Sequence, residues 1–273
     1  MRVVINGHRR EIKMKTAIIV ADSYGEPFDS IRSNICDRNW SQFISSGYKV
    51  YKYIGEQNNI INSHSKFSLE KLRYSKFWPI QYILDRSIVN KYNFRNLEIR
   101  EEADTLYVNL PEGLKYLGVK TFCVLKYLFD NGYELVYKTT MSSITNLKFF
   151  NDYVSSIDTG AEVYAGTLME RQYDFDYISG ANLFISRTAF KYLESNRSKW
   201  NHAKLEDVAI GELLYKNVKL KKIESLNISN IEELHSVDEY VLNNVFHIRC
   251  TSRNGKARGD LEILDNVLDL LKR

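Results

Sequence analysis

The sequence predicts one mixed α/β domain, a Rossmann-like sheet flanked by helices, and three observations point there. Strand-length apolar runs alternate with helically spaced ones from Thr16 onward, the order that builds a sheet covered by helices. The first run, Thr16–Ala21 (TAIIVA), is apolar almost throughout, as a strand buried on both faces is, and it ends at Asp22-Ser-Tyr-Gly25. A chain of 273 residues can also bury a large core without dividing. Residues 1–15 read as a basic N-terminal extension and residues 16–273 as the domain.

The elements follow in order. Residues 30–45 carry Ile31, Ile35 and Phe43 on related turns and predict a helix. Residues 49–54 alternate as a second strand, stopped by Gly55. Residues 56–95 are polar, aromatic and irregular, a long loop with one helix over residues 77–92. Thr105–Val108 is a short strand. Residues 118–131 form a helix that Gly132 ends, glycine being suited to the left-handed position after a helix. Residues 134–138 make the next central strand. Residues 145–156 are a short helix with Leu147, Phe150 and Val154 inward, and residues 162–168 another strand. Residues 184–194 and 207–214 read as helices, residues 218–223 as a late strand and residues 260–271 as a closing amphipathic helix. Residues 246–258, with basic and small side chains interleaved, read as a loop suited to closing over an anion.

Composition excludes several function classes. With 38 basic against 34 acidic residues, the net charge of +4 is too small for a nucleic-acid binder, which concentrates basic charge. Tyrosine is abundant, 19 residues, which suits carbohydrate faces and equally follows from a biased genome. Cys36, Cys123 and Cys250 are scattered, form no zinc spacing and fit a reducing compartment. No run approaches the ~20 apolar residues of a membrane span, and the basic start lacks the apolar segment of a secretory leader. Cytoplasmic action in a bacterial or viral setting is the expectation; oligomeric state leaves no mark in the sequence.

Two segments carry chemistry. Tyr177–Ser186 (YISGANLFIS) is followed by Leu205-Glu-Asp-Val-Ala-Ile-Gly211, which sets two carboxylates at the mouth of an apolar helix. A helix N-terminus presents unpaired N–H groups and partial positive charge, so carboxylates there are held ionised and oriented. An ionised, fixed carboxylate is what a general base requires.

In these segments the chain resembles the beta-1,3-galactosyltransferase and Fringe-like glycosyltransferases, which have a GT-A fold. Tyr177, Ser179, Gly180 and Ser186 match one family segment; Glu206, Asp207, Val208 and Gly211 match its Glu-Asp-Val-x-x-Gly motif. Residues 116–121, residues 133–138, the stretch from Arg32 to Trp40, and Phe246-His247 match others in the same order. The resemblance implies an inverting glycosyltransferase that moves a sugar from a UDP-type nucleotide donor to a glycan hydroxyl. Asp207 would deprotonate the acceptor, with Glu206 beside it. With the basic and hydroxyl side chains near these motifs, the donor is expected at Asp22, Ser23, Arg32, Asp104, Lys120, Lys138, Thr140, Ser142, His247, Arg249 and Arg253, and the acceptor at Tyr177, Ser179, Gly180 and Trp200, where Trp200, Tyr173 or Tyr177 would stack on a sugar ring.

One departure stands out. The family's Asp-x-Asp, which holds Mn²⁺ or Mg²⁺ on the diphosphate, is replaced by Thr140-Met141-Ser142. Hydroxyls are poor sole ligands for a hard cation, so no metal is assigned; His247 is the one metal candidate. Either the donor is held without a metal, by Lys138, His247, Arg249, Arg253 and Lys256, or the chain is an inactive relative that binds glycans or nucleotides.

Overall fold

A computed structural model of the chain describes residues 4–5, 8–9, 14–24, 28–56, 97–112, 116–170, 173–201, 204–251 and 260–271. The expected mixed sheet flanked by helices is what the chain forms. Near the N-terminus β1 (Val4–Ile5) and β2 (His8–Arg9) pair as a small hairpin. The main sheet has eight strands: β3 (Thr16–Ala21), β4 (Lys49–Gly55), β5 (Ile99–Glu102), β6 (Thr105–Val108), β7 (Leu135–Thr140), β9 (Tyr164–Met169), β10 (Tyr177–Ser186) and β11 (Leu220–Lys222). They lie in the order β11-β9-β10-β7-β3-β4-β6-β5. β3 is central and parallel to β4 and β7; β4 is parallel to β6; β10 runs antiparallel to both β7 and β9.

The apolar run of β3 serves two cores. Ala17 and Ile19 face one layer with α3 (Leu117–Asp130), α5 (Arg187–Ser195) and α6 (Glu206–Leu214), where Phe122, Phe190 and Ile210 pack. Ile18 and Val20 face the other, with α1 (Phe28–Asn34), α2 (Cys36–Ser45), α4 (Leu147–Ser155) and α9 (Asp260–Leu270), where Ile31, Phe43, Phe150 and Leu264 pack. This is the period of two that a doubly covered strand requires. A second sheet of β8 (Ser143–Thr145), β13 (His247–Cys250) and β12 (Ser225–Ile228) lies beside it, followed in space by α7 (Ile231–Ser236) and α8 (Glu239–Asn244).

Several boundaries differ from expectation. The helix expected over residues 30–45 is two helices joined at Ile35, through which the i→i−4 bonds Ile35 N–H to Ile31 O and Asn39 N–H to Ile35 O continue. The helix expected over residues 184–194 starts only at Arg187. Phe184 and Ile185 belong to β10, paired with Tyr137 and Val136, and the Ser186 hydroxyl caps α5 by accepting from Ala189 N–H at 3.2 Å. Likewise Asn146 caps α4, accepting from Lys148 N–H at 3.0 Å, so the residues before it form β8 rather than helix. The basic stretch 246–258 is a strand over His247–Cys250, not a loop; residues 252–259 lie outside the described residues, as does the helix expected over residues 77–92. β5 and β12 were not anticipated.

The feature that shapes the site is an irregularity in β10. Ile178 pairs with Leu168, yet Leu183 pairs with Gly166, so residues 179–182 stand opposite Thr167 alone. Such a bulge frees several peptide groups from the ladder and re-aims them.

Candidate functional site

Several of the expected residues, among them Asp22, Lys138, Gly180, Glu206 and Asp207, come together near the carboxyl ends of β3 and β7, where the β10 bulge meets the start of α6. Ligands of open α/β sheets bind beyond these ends. Asp207 is half-buried in the first turn of α6. Its Oδ2 accepts from Gly180 N–H at 3.0 Å and its Oδ1 from Val208 N–H at 2.9 Å. The N-cap residue Leu205 offers no side-chain acceptor, so Asp207 itself answers the helix's orphan donors. Among the described residues no lysine or arginine pairs with it, and each oxygen keeps lone-pair capacity for a further donor.

Glu206 corrects an expectation. Neighbouring positions on a helix diverge by about 100°, and Glu206 turns inward while Asp207 stays at the surface. It is buried, forms an ion pair through Oε1 with buried Lys138, and accepts from the Thr121 hydroxyl at Oε2, 2.8 Å away. Tyr53 OH stands 2.8 Å from the same Thr121 oxygen. Burial, above all, raises the Glu206 pKa, and the Asp207 charge adds to it; Lys138 opposes. Lys138, expected to face the donor, is likewise consumed here: its ammonium also donates to Gly180 O at 2.6 Å.

The glycine at 180 has a steric reason. A Cβ there would lie 2.5 Å from Glu206 Oε1 and 3.1 Å from Lys138 Nζ. The backbone at Gly180 therefore approaches the ion pair behind it closely. Gly211 has a similar role one turn on, since a Cβ there would overlap Tyr177 Cβ where α6 packs on β10.

Two further carboxylates nearby are paired. Lys120 is buried rather than half-exposed, and Glu112 receives it through both oxygens at 2.7 Å while Oε2 also accepts from Gly55 N–H at 2.6 Å. Burial lowers the Lys120 pKa. Asp22 and Arg32, expected to reach nucleotide and diphosphate separately, bind each other in a fork: Nε to Oδ2 and Nη2 to Oδ1, both 2.8 Å. Arg32 also donates to Ser23 O at 2.6 Å, and Ser23 N–H to Asp22 Oδ1 at 2.7 Å. The hydrogen bonds that Arg32 donates to Asp22 raise its pKa further, so it stays charged.

The remaining candidates divide. Thr140 is half-buried, with its hydroxyl 3.0 Å from that of Ser143. Ser142 is buried and donates to Asp260 Oδ2 at 2.8 Å, tying the chain to the start of α9 instead of facing a donor. His247 is buried in β13, and among the described residues neither ring nitrogen has a partner in hydrogen-bond geometry. Burial and then the charge of Arg249 lower its pKa to about 3. No group of three His, Cys, Asp or Glu able to hold a metal occurs among the described residues, so His247 gains no co-ligands there. Arg249 is half-buried; Arg253 and Lys256 lie outside the described residues.

Asp104 is not part of the cluster: it sits half-buried in the β5–β6 turn at the amino end of β6 and pairs with Lys52 at 3.1 Å. Trp200 is core rather than acceptor platform, edge-on to Phe122 and against Gly118. Tyr177 is buried under Gly211, whereas Tyr173, beside it, is exposed and stacks with Phe175, which stacks with Tyr215. Ser179 is buried in the bulge, its hydroxyl 3.4 Å from Ala181 N–H.

Sequence reasoning missed Glu112, Thr121 and Tyr53. A signal existed for the first: Lys120 sits among Val119, Thr121 and Phe122 on a helix that is mostly buried, and a buried ammonium requires an acid.

No family model matches the chain, and no curated protein does. Among solved structures, it is similar to a glycosyltransferase involved in glycosylation of the major capsid of PBCV-1, at 13% identity and a TM-score of 0.48, over 92% of this chain and 99% of that one. It is similar also to the inositol-1-phosphate CTP transferase from T. maritima, at 9% identity and a TM-score of 0.41, over 96% and 97%. A third is the glycosyltransferase GlyE of Streptococcus pneumoniae, at 11% identity and a TM-score of 0.40, over 95% of this chain and 62% of that one. No described helix is long and apolar enough to cross a membrane.

Proposed function

We propose that this chain is an inverting glycosyltransferase that uses Asp207 as its general base. One observation carries the reading: a half-buried carboxylate at the carboxyl ends of the central strands, oriented by two backbone N–H groups and unpaired with any described cation. The neighbouring acids Asp22, Glu112 and Glu206 each pair with a cation, which leaves Asp207 as the carboxylate able to take a proton. The acceptor hydroxyl donates to an Asp207 oxygen as its own oxygen attacks the anomeric carbon. The bond to the diphosphate breaks on the opposite face, its electron pair leaves with the nucleotide, and configuration inverts. The resemblance favours UDP as the nucleotide and a glycan hydroxyl as the acceptor.

The described residues do not fit a resident divalent metal, since hydroxyls stand where carboxylates would and Ser142 is spent on Asp260. Arg249 is the described cation we assign to the diphosphate, since Arg32 is forked on Asp22, and charge-assisted contacts of this kind are the strong ones. The absent acids also favour a second reading, an inactive relative that binds nucleotide or glycan. Incubation with a panel of UDP-sugars, with and without EDTA, separates the two. Release of UDP that EDTA does not change supports transfer without a metal. Nucleotide binding with no release on any donor or glycan acceptor supports the inactive relative.

A further inference from the structure

We propose that Lys138 is a positioning residue for the Asp207 base, acting through the two peptide groups that flank Gly180. The proposal rests on the reading of Asp207 as base and explains how that carboxylate is held.

Lys138 lies in β7 level with Ile19 of β3, the innermost position of the sheet, where a lysine is costly to bury. It makes two contacts there, and each controls one side of Asp207. Through Glu206 it fastens the first turn of α6, the turn that carries Asp207. Through Gly180 O, 2.6 Å away, it fastens the peptide following Gly180, while the N–H of the preceding peptide donates to Asp207 Oδ2 at 3.0 Å. The bulge explains why a side chain must do this. Residues 179–182 have left the β9 ladder, so side chains of β7 supply donors for their carbonyls: Lys138 to Gly180 O, and Thr139 Oγ1 to Ala181 O at 3.0 Å.

Glu206 completes the device. Its carboxylate balances the ammonium, and its second oxygen is anchored by Thr121 of α3. One cation therefore sets both the helix turn and the amide that aim the base. Neither Lys138 nor Glu206 reaches the surface, so neither touches substrate; both act through Gly180 and Asp207.

The test pairs Lys138→Met with Glu206→Met, which removes both charges together and so leaves no orphaned ion in the core. The first readout is the Gly180 amide in ¹H–¹⁵N spectra of the full chain. In the parent protein its proton shift is expected to respond when Asp207→Asn replaces the charged acceptor of its hydrogen bond. In the double variant the response is expected to vanish and solvent exchange at Gly180 to rise at least about tenfold. The second readout is UDP release from whichever UDP-sugar turns over. The turnover number is expected to fall about 100-fold, the cost of a small misplacement of a reacting group, with donor KM within about twofold. An unchanged response at Gly180 together with unchanged turnover would overturn the proposal. Parent-like turnover in Asp207→Asn would sink the base reading instead, while the Gly180 amide still decides the positioning role. Should the apolar pair fail to fold, Lys138→Gln with Glu206→Gln is read the same way, because the shorter amide stops about one bond short of Gly180 O.

Discussion

At residue scale, the ion pair behind the site makes a clear prediction. Lys138→Met alone strands a buried carboxylate, and breaking one side of a buried pair typically costs about 3–5 kcal/mol. Urea unfolding should show that loss, and removing Glu206 as well should recover most of it. His247 supplies the pH dependence. Its folded pKa of about 3 lies below the ordinary imidazole value of 6.5, so between those values the unfolded chain binds the proton that the folded chain refuses. Stability contributed by neutral His247 is present above about pH 6.5 and is lost as pH falls toward 3, at up to about 1.4 kcal/mol per pH unit. His247→Gln should flatten that acid slope by as much as one proton's worth in unfolding measured from pH 3.5 to 7; parallel curves for the two proteins would contradict the assignment. The motif residues were legible as a cluster, but their orientations were not. Asp207 and Glu206 are adjacent in sequence, and only the direction of each side chain on α6 separates surface acid from buried ion-pair partner.

At element scale, the approach of α6 to β10 decides where Asp207 sits. Gly211→Ala places a Cβ against Tyr177 Cβ, so the helix must move; overpacking of this kind costs typically 1–3 kcal/mol. A fall in turnover larger than the fall in thermal stability explains is the expected result, because the displaced turn carries Asp207. The helices α3 and α9 were readable to within about one residue, since their apolar spacing and the glycine after α3 agree. β10 was not. Its run Ala-Asn-Leu-Phe-Ile-Ser is short and apolar enough for either a strand or a helix start, and pairing with β7 and β9 decided for strand. The small sheet of β8, β12 and β13 was hidden for a related reason, as three- and four-residue strands carry almost no period.

At the scale of the whole molecule, the order of the central strands brings distant segments to one edge. Asp22 follows β3, Glu112 follows β6, Lys138 lies near the end of β7, and Asp207 arrives from α6 across the β10 bulge. Mixed α/β architecture was evident from alternating strand and helix patterns, whereas the pairing of charges at that edge depends on contacts between residues far apart in sequence. Phe150 shows how much the second core matters: it meets Phe43, Tyr48, Tyr137 and Phe184 within 5.5 Å between ring centres. Phe150→Ala should cost about 3–5 kcal/mol in chemical unfolding while leaving the pH profile of turnover unchanged, since Asp207 lies on α6 against the opposite face of the sheet.

The most direct measurement is nucleotide release by Asp207→Asn beside the parent protein, with UDP affinity measured on both by calorimetry. Turnover is expected to fall by about 10²–10⁴ with UDP affinity within about threefold, the signature of a lost proton acceptor rather than a lost binding site. Parent-level turnover in the variant would contradict the assignment of the base.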